Sequence, residues 1–490
     1  MSQEHTQSAR EHAQPPQLRR NALGFTEVMI TGLSQIAPAF SVMFTAAVIA
    51  SSVGSAVPSV YILALVGILA TGLSLSQFSR IWPSSGSFVT YISRAIGPRA
   101  GLWVAVVALI GYIVGNGGVF VYVGSYISTE VFKTDGTGLT LVMAAVYSVI
   151  VTVPVIIGLK VGVRAAVLMY AFEVAVILAL TIAVLAQGGA AGLSLEPFTF
   201  SFPSAKGLGL AFALGILAFV GFEAPAPLGE ESRNPRRTVP LAIVAGVLIT
   251  AALYVVSSYA VVMAFPSAGA LASDPAPFVT ASNRFISPLA GVVTWLFLTS
   301  VTGSYLGANT QLARIVFSGA REGLWSRRLA TVHPRFRTPW VAVLTCVLPG
   351  VAVGIVVAAT TSVATATSFV PTLGILGITT MFVAANAALI VHWFRERARG
   401  VRRSVLGCVL VPVVGIVTLA VPYWSDFQPG QPAPFSYLPW FFFGLLAAGA
   451  LYVLYLQRRK PAMMARAGSI IMGEAAPVDR ARVLVPDEPR

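Results

Sequence analysis

The sequence has few charged residues, few cysteines and few histidines. Only 10% of its 490 residues are charged while 56% are hydrophobic, a composition that disfavours soluble domains and is typical of a polytopic membrane protein. The two cysteines, Cys346 and Cys408, lie in apolar segments, so neither a disulfide framework nor a cysteine metal site is expected. The four histidines, His5, His12, His333 and His392, lie in tails, in a loop or at the very end of an apolar segment, which disfavours a histidine-based metal or acid–base site.

Two further absences narrow the class of protein. The chain has no glycine-rich phosphate loop followed by Lys-Ser/Thr, which argues against an ATP-driven pump, and no cofactor is expected. Residues 1–22 are polar and contain no apolar stretch. We therefore expect a disordered tail there and no cleaved signal peptide.

Apolar segments long enough to cross a membrane recur along the whole chain. A hydrocarbon core about 30 Å thick requires about 20 apolar residues per helix. We number the predicted segments spans 1 to 12: 27–52, 57–79, 101–129, 139–159, 165–187, 208–231, 239–264, 286–316, 339–358, 368–393, 404–422 and 438–457. The predicted fold is an all-α polytopic membrane protein with twelve transmembrane helices.

The net charge of +14 is distributed unevenly between the two sides of these spans. Of the 32 basic residues, 29 fall on one side and only Lys133, Lys206 and Arg284 on the other. The positive-inside rule then places both termini in the cytoplasm and the chain in the cytoplasmic membrane, where anionic lipids are partners for the basic loops. No nucleic-acid partner is expected, because the chain has no basic soluble domain with a recognition motif.

Spans 1 and 6 are interrupted near their middles. Pro38 interrupts span 1, and span 6 contains Gly221, Pro225 and Pro227 around Glu223. Proline removes a backbone donor and glycine relaxes the chain, so backbone groups there lose their helical partners. Such breaks persist in a membrane only when they are buried in protein or line an aqueous cavity.

Five spans separate the two breaks, so two equivalent units would be inverted relative to each other. Paired interruptions of this kind point to the binding site of an inverted-repeat transporter. The alternative is a proline kink in each helix with no role in ligand binding.

Only two carboxylates lie deep in the spans, Glu173 in span 5 and Glu223 in span 6. A charged side chain at the membrane centre costs on the order of 3 kcal/mol on insertion scales. Each is therefore a candidate for proton coupling or gating. The alternatives are a hydrogen bond that braces the broken helix for Glu223, and an interhelical contact for Glu173.

Small and polar residues in spans 3 and 8 each allow two interpretations. In span 3, Gly111, Gly115, Gly117 and Gly118 favour close helix packing, with Asn116 as a possible lining residue. In span 8, polar side chains could coordinate sodium together with freed span 1 carbonyls, or could bond to their own helix. The span 8 set is Thr299, Ser300, Thr302, Ser304, Tyr305 and Asn309.

Three motifs, in the right order, resemble the amino acid/polyamine/organocation permease superfamily over about Gly24 to Pro339. Residues 82–97, which begin Trp-Pro-Ser-Ser-Gly-Ser-Phe, resemble its connection between spans 2 and 3. Residues 230–240 resemble its signature between spans 6 and 7, and residues 314–339 resemble its loop between spans 8 and 9. The resemblance implies a LeuT-like fold, a five-plus-five inverted repeat with spans 1 and 6 broken.

The resemblance also implies a binding site. Amides of span 1 would meet the substrate's carboxylate, and carbonyls of spans 1 and 6 would meet its ammonium group. The implied substrate-binding residues are Ile36, Ala37, Pro38, Ala39 and Phe40 of span 1, Leu217, Phe219, Val220, Gly221 and Phe222 of span 6, and Ala308 of span 8.

Three departures from the family bear on the substrate and the coupling ion. The usual glycine-rich stretch of span 1 is Ala-Pro-Ala-Phe here, and Pro38 offers no amide. Arginine/agmatine exchangers carry aromatic residues at the positions of Leu217 and Ala308, so arginine is disfavoured as a substrate. Proton-coupled members often place a lysine on span 5, where the nearest ionisable residue is Glu173.

The predicted function is secondary active transport of an amino acid by alternating access, coupled to protons, rather than an enzymatic reaction. Transport of an amine or polyamine, or amino acid/amine exchange, is the alternative. The predicted organisation is a tail at 1–22, a transporter core at 23–400, spans 11 and 12 at 401–460 as a scaffold or oligomer element, and a cytoplasmic tail at 461–490.

Overall fold

The computed structural model describes residues 23–461 except 44, 84–85, 159–160, 275, 322 and 432. Within these ranges the regular structure is helical, and a single β-bridge pairs Leu23 with Ser232. The predicted N-terminal tail and residues 462–490 of the predicted C-terminal tail lie outside the described residues, as do Ser84, Ser85 and Glu322 of the sequence motifs.

The first five predicted spans correspond to seven helices and one short additional helix. They are α1 (Phe25–Leu33), α2 (Pro38–Met43), α3 (Thr45–Val53), α4 (Val57–Ile81), the short α5 (Ser87–Ala95), α6 (Pro98–Tyr126), α7 (Thr137–Ile157) and α8 (Val161–Ala186). A π-helical turn, Ile127–Val131, extends α6. Span 1 is thus divided into several pieces, whereas spans 2 to 5 are single helices.

The remaining spans follow in the same order. They are α9 (Ala205–Ala218), α10 (Pro235–Met263), the short α11 (Ala268–Ser273) and α12 (Pro277–Phe285), α13 (Ala290–Arg321), α14 (Trp340–Thr360), α15 (Val363–Ala398), α16 (Val411–Asp426) and α17 (Leu438–Arg459). The 3-10 turn Ala226–Glu230 follows α9 after an irregular stretch, and the π-helical turn Leu406–Leu410 precedes α16.

In the described part of the chain, ten helical segments are long and apolar enough to cross a membrane. The two other predicted spans take a different form. Span 1 consists of Phe25–Leu33 and Pro38–Val53, which are bent by 45° relative to each other, and span 6 retains only the short apolar helix Gly207–Ala218. The interruptions that the sequence predicted in spans 1 and 6 shorten these helices.

Glycines bring α6 close to its neighbours. A Cβ atom built on Gly111 would lie 2.8 Å from the carbonyl oxygen of Gly374, and one on Gly115 would lie 3.3 Å from Gly374 Cα. The backbones of α6 and α15 therefore touch, as the small residues of span 3 predicted. This packing fixes the face of α6 that carries Tyr112 and Asn116 next to the broken helices.

The last two helices lie at the periphery. α16 packs on α4, α9 and α15, and α17 packs on α6 and α15. Their outer faces carry large exposed apolar side chains, with Trp440 74% and Leu451 65% exposed. Exposure of this kind is expected for helices that face lipid.

Arginines mark one end of the helical bundle. Arg94 lies at the end of α5, Arg321 at the end of α13 and Arg395 near the end of α15. Arg395 Nη1 donates a hydrogen bond of 2.6 Å to the Ala95 carbonyl, which ties α15 to the end of α5. We call this end the basic side.

Candidate functional site

Span 1 is broken between α1 and α2. Short turns follow Leu33, in which Gln35 N donates to the Gly32 carbonyl and Ile36 N to the Leu33 carbonyl, both at 3.1 Å. Pro38 then begins α2 at the first helical position, where an amide has no intrahelical partner and the fixed φ of proline suits the helix. The first helix has thus already ended at Leu33, and the proline starts the next.

Span 6 is broken immediately after α9. Residues 219–225 form successive turns, and Gly221 has φ +111°, a conformation that favours glycine. Pro225 and Pro227 supply no backbone amide, so a regular helix does not resume, and Ala226–Glu230 forms a 3-10 turn. The irregular segment is buried within the protein. Burial of this kind is required because lipid cannot form hydrogen bonds with backbone groups that lack helical partners.

The two breaks are in direct contact. A Cβ atom on Gly221 would lie 3.0 Å from the Gln35 carbonyl oxygen, which leaves little room for a side chain at that position. Ser304 of α13 donates a 2.7 Å hydrogen bond to the same Gln35 carbonyl. Ser41 of α2 donates to the Ala218 carbonyl at 3.3 Å. Hydroxyl groups thus replace some of the helical bonds that the breaks remove.

A cavity of about 220 Å³, the central cavity, lies beside these breaks. Spans 1 and 6, α6, α13, α15 and residues 86–89 contribute to its walls. Most lining residues are apolar, and the polar ones include Gln35, Tyr112, Asn116, Glu223, Ser304 and Gln311. An apolar cavity with a few convergent polar groups is typical of a site for a small organic molecule.

Glu223 lies in the wall of the central cavity and also braces the break. Tyr112 Oη donates to Glu223 Oε1 at 2.6 Å, and Gly221 N donates to Glu223 Oε2 at 3.0 Å. No lysine or arginine is among the described residues that line the cavity. A cationic solute group would therefore find one carboxylate there and no competing side-chain cation.

Glu173 lies on α8, outside the central cavity, and its side chain contacts α2 and α13. Its side chain is buried, with the residue 2% exposed. Glu173 Oε1 accepts hydrogen bonds from the Ala39 amide and, at 2.5 Å, from Ser300 Oγ. The Phe40 amide in turn donates to Ser300 Oγ at 3.3 Å. The residue thus forms the interhelical contact that was one of its two predicted roles.

The structure brings seven of the predicted site residues to the cavity wall. These are Ala37, Phe40, Leu217, Val220, Gly221, Glu223 and Ala308. Six others lie in or beside the broken segments without lining the cavity: Ile36, Pro38, Ala39, Glu173, Phe219 and Phe222. Phe219 and Phe222 pack in the core, against Tyr254 and Phe382 respectively.

Sequence reasoning missed several lining residues, chiefly Tyr112, Gln35 and Gln311. Tyr112 is four residues before Asn116 on α6, and residues four apart share a helix face. Gln311 is likewise seven residues after Ser304 on α13. These spacings could have extended the predicted site along two helices. Gln35 carries no such signal, because it lies in a turn.

The polar side chains of α13 are engaged within the protein. Thr299 Oγ1 donates to the Leu296 carbonyl at 2.8 Å, and Thr302 Oγ1 donates to the Leu298 carbonyl at 2.6 Å. Such bonds to the preceding turn correspond to the second interpretation of these side chains, in which they bond to their own helix instead of coordinating sodium. Among the described residues, no group of three or more His, Cys, Asp or Glu side chains could hold a metal ion.

A second cavity, of about 620 Å³, lies beside the central one towards the end opposite the basic side. The two cavities share five lining residues, which we call the septum: Phe40, Val119, Leu217, Pro371 and Ile375. Asp274 lines the second cavity, and the described lining residues there again include no lysine or arginine. The septum thus forms a thin apolar layer between the central cavity and a larger one.

Two interrupted helices that meet at an internal cavity of a polytopic helical protein define a membrane transporter of small solutes. The family model described as amino acid permease matches residues 23–453. The chain belongs to this family, whose members are permeases and not enzymes.

Curated relatives support the same family. The low-affinity putrescine importer PlaP of Escherichia coli K12 is 23% identical over 415 residues, covering 84% of this chain and 89% of the relative. The methylthioribose transporter of Bacillus subtilis is 24% identical, with 86% and 90% covered. The branched-chain amino acid permease BcaP of Bacillus subtilis is 27% identical over 304 residues, with 58% and 63% covered.

A solved structure shows the same fold. The crystal structure of MhsT in complex with L-phenylalanine matches with a TM-score of 0.56 and 16% identity, covering 84% of this chain and all of that one. MhsT is a LeuT-fold neighbour, which supports the predicted LeuT-like architecture at the level of the fold.

Proposed function

We propose that this protein is a proton-coupled secondary active transporter that carries a small solute with an ammonium group by alternating access. The observation that carries the proposal is the position of Glu223, a carboxylate in the wall of an apolar cavity where two broken helices meet. The solute's ammonium group binds there, and the protein then exposes the cavity to either side of the membrane in turn.

The ammonium group is held by Glu223 and by backbone carbonyls of span 6. The Val220 carbonyl accepts no hydrogen bond from any described residue, and Val220 lines the cavity. Exposed carbonyls at the end of a half-helix attract cations. The predicted binding residues of spans 1, 6 and 8 surround this point, with Leu217 and Ala308 as apolar walls that leave no aromatic clamp for a guanidinium group.

Two solute classes carry such an ammonium group, amino acids and amines. The family name and the relative BcaP favour an amino acid. The relative PlaP, a putrescine importer, favours an amine or polyamine. Both would place the ammonium group at Glu223, so the proposed site is common to the two classes.

The proposed membrane arrangement has twelve crossings. The bent pair of span 1 makes one, and α9 with its following turns makes another, in addition to the ten long helical segments. Spans 1–5 and 6–10 form the two inverted units of the core at 23–400, and spans 11 and 12 at 401–460 flank it. The basic side faces the cytoplasm, with both termini there, in the cell membrane.

Proton coupling is assigned first to Glu223, because it lies in the cavity that the solute shares. Glu173 is the second candidate, since its carboxyl group links the start of α2 to α13 through Ala39 and Ser300. A change in the protonation of either group would alter contacts at a break, which is where alternating access requires movement.

The test is uptake of radiolabelled leucine and putrescine into proteoliposomes under an imposed pH or sodium gradient. We expect an inwardly directed proton gradient to drive uptake of one of them by the wild-type protein. Glu223→Gln should fold but lose most of this response. Glu130→Gln serves as the matched control, because Glu130 forms an ion pair of 3.2 Å with Lys133 and lines neither cavity. Unchanged proton-driven uptake by Glu223→Gln, or uptake driven by sodium alone, would contradict the proposed coupling.

A further inference from the structure

The first turn of α2 is where a substrate carboxylate would bind in the arrangement that the family resemblance implies. Its amides are already engaged. Pro38 has no amide, the Ala39 amide donates to Glu173, and the Phe40 amide donates to Ser300 Oγ at 3.3 Å. The Ser41 amide donates to the Ala37 carbonyl at 2.9 Å.

Glu173 is the residue that engages the Ala39 amide. Its Oε1 accepts from both Ala39 N and Ser300 Oγ, so this amide is not available to a ligand carboxylate. The residue is 2% exposed and does not line the central cavity.

One amide at the break remains without a partner among the described residues, that of Ala37, which lines the cavity. A single neutral donor cannot replace the hydration shell of a full carboxylate. Burial of an ionised carboxylate is costly unless several donors or a cation compensate it. The backbone of the span 1 break therefore offers a substrate carboxylate one amide and no cation.

The charges along the two cavities favour the same kind of solute. Glu223 lines the central cavity and Asp274 lines the second cavity, with no lysine or arginine among the described lining residues of either. The route from one cavity to the other passes the apolar septum and meets carboxylates on both sides. Such a route attracts cations and repels anions.

We propose that the substrate is a protonated amine without a carboxylate group, because the first-turn amides of α2 that would bind an amino acid's carboxylate are already bonded within the protein. This inference rests on the proposed transport function and chooses between its two solute classes. The ammonium group binds at Glu223, and the rest of the solute packs in the apolar part of the central cavity.

The first experiment compares amines with the amino acids from which they differ only by the α-carboxylate. The pairs are putrescine and ornithine, and isobutylamine and valine. They are used as competitors of whichever of radiolabelled putrescine and leucine is taken up into proteoliposomes that contain the full chain. We expect each amine to compete at least about tenfold better than its amino acid, since the latter must bury an uncompensated carboxylate. Equal competition, or a preference for the amino acids, would overturn the inference and leave the transport function standing. Absence of uptake of every amine and amino acid would instead contradict the proposed function.

The second experiment tests the role of Glu173 directly. Glu173→Ala removes the acceptor and leaves the Ala39 amide and Ser300 hydroxyl without it, so we expect uptake to fall and the preference for amines over amino acids to shrink. Added formate, a free carboxylate small enough for the vacated space, should partly restore amine uptake.

Glu173→Gln keeps an acceptor oxygen and should retain the preference, and Glu130→Ala is the matched control. A folded Glu173→Ala protein with unchanged preference and no response to formate would overturn the inference. Should that variant not fold, the comparison of amine and amino acid pairs with the wild-type protein decides.

Discussion

Tyr112 Oη donates a hydrogen bond of 2.6 Å to Glu223 Oε1, which joins the glycine-rich helix α6 to the broken segment after α9. The two residues are 111 positions apart in sequence. Their contact places a neutral donor, and no cation, against the carboxylate that faces the cavity. The carboxylate thus remains available to a cationic solute.

Tyr112→Phe should weaken transport without unfolding the protein. Hydrogen bonds to charged groups contribute about 1.5–3 kcal/mol, so the loss of this donor should lower uptake at limiting substrate by about tenfold or more. Initial uptake rates in proteoliposomes measure the effect. Tyr147→Phe is the control, because Tyr147 bonds to Thr302 at 3.0 Å and lines neither cavity. Equal effects of the two substitutions would contradict a special role for the Tyr112–Glu223 pair.

Gly221→Ala should destabilise the break of span 6. An alanine at φ +111° is strained, and its Cβ atom would lie 3.0 Å from the Gln35 carbonyl oxygen. Strain of this kind costs about 1–3 kcal/mol. We expect a lower melting temperature in detergent and loss of uptake.

Gly138→Ala is the matched control for this substitution. Gly138 lies in α7, and a Cβ atom there would meet nothing within 4 Å. Alanine is the better helix former by about 1 kcal/mol, so stability should stay the same or rise slightly. A Gly221→Ala protein as stable and active as Gly138→Ala would show that the break tolerates an ordinary side chain.

Local chemistry explains what could be predicted from sequence. Pro38, Gly221, Pro225 and Pro227 interrupt apolar segments, and among the described residues a helix begins at Pro38 and another ends at Ala218, just before Gly221. Hydropathy located the long helices, because each needs a continuous apolar stretch. It gave no signal for the short helices α5, α11 and α12, which are too short to cross a membrane.

Tertiary contacts explain what could not be predicted. The bond from Ala39 to Glu173 joins residues 134 positions apart, and its existence depends on how α2 and α8 pack. In the turns at 34–37 and 219–225 the helical period does not apply, so sequence spacing does not tell which side chains face the cavity. Val220 therefore lines the cavity while its neighbour Phe219 packs in the core.

Asn116→Leu should reduce substrate affinity more than stability. Asn116 lines the central cavity, and its Nδ2 has no hydrogen-bond partner within the described part of the protein. Because substitution removes no side-chain amide bond of the protein, stability should change little. A solute bond to this amide would contribute about 0.5–1.5 kcal/mol, or about two- to tenfold in KM.

Asn386 on α15 provides the contrast. Its Nδ2 donates to Thr71 Oγ1 at 3.0 Å, and its Oδ1 accepts from Ser74 at 2.7 Å. Asn386→Leu should therefore lower the melting temperature first, because two buried hydroxyl groups each lose one of their two hydrogen bonds. If Asn116→Leu lowers stability as much as Asn386→Leu and leaves KM unchanged, Asn116 has no part in solute binding.

Phe40→Ala should open the septum between the two cavities. Phe40 lines both of them, and its ring lies 6.1 Å from Tyr122 and 6.0 Å from Phe297, measured between ring centroids. Alternating access requires that the solute never meets an open path through the protein, and removal of this ring joins the central cavity to the second one. We expect binding of substrate to persist while the steady-state accumulation falls and passive efflux from loaded proteoliposomes rises.

Phe172→Ala is the control, since Phe172 is 46% exposed on α8 and lines neither cavity. Full accumulation by Phe40→Ala, with efflux as slow as in Phe172→Ala, would show that the septum is not the barrier to the solute.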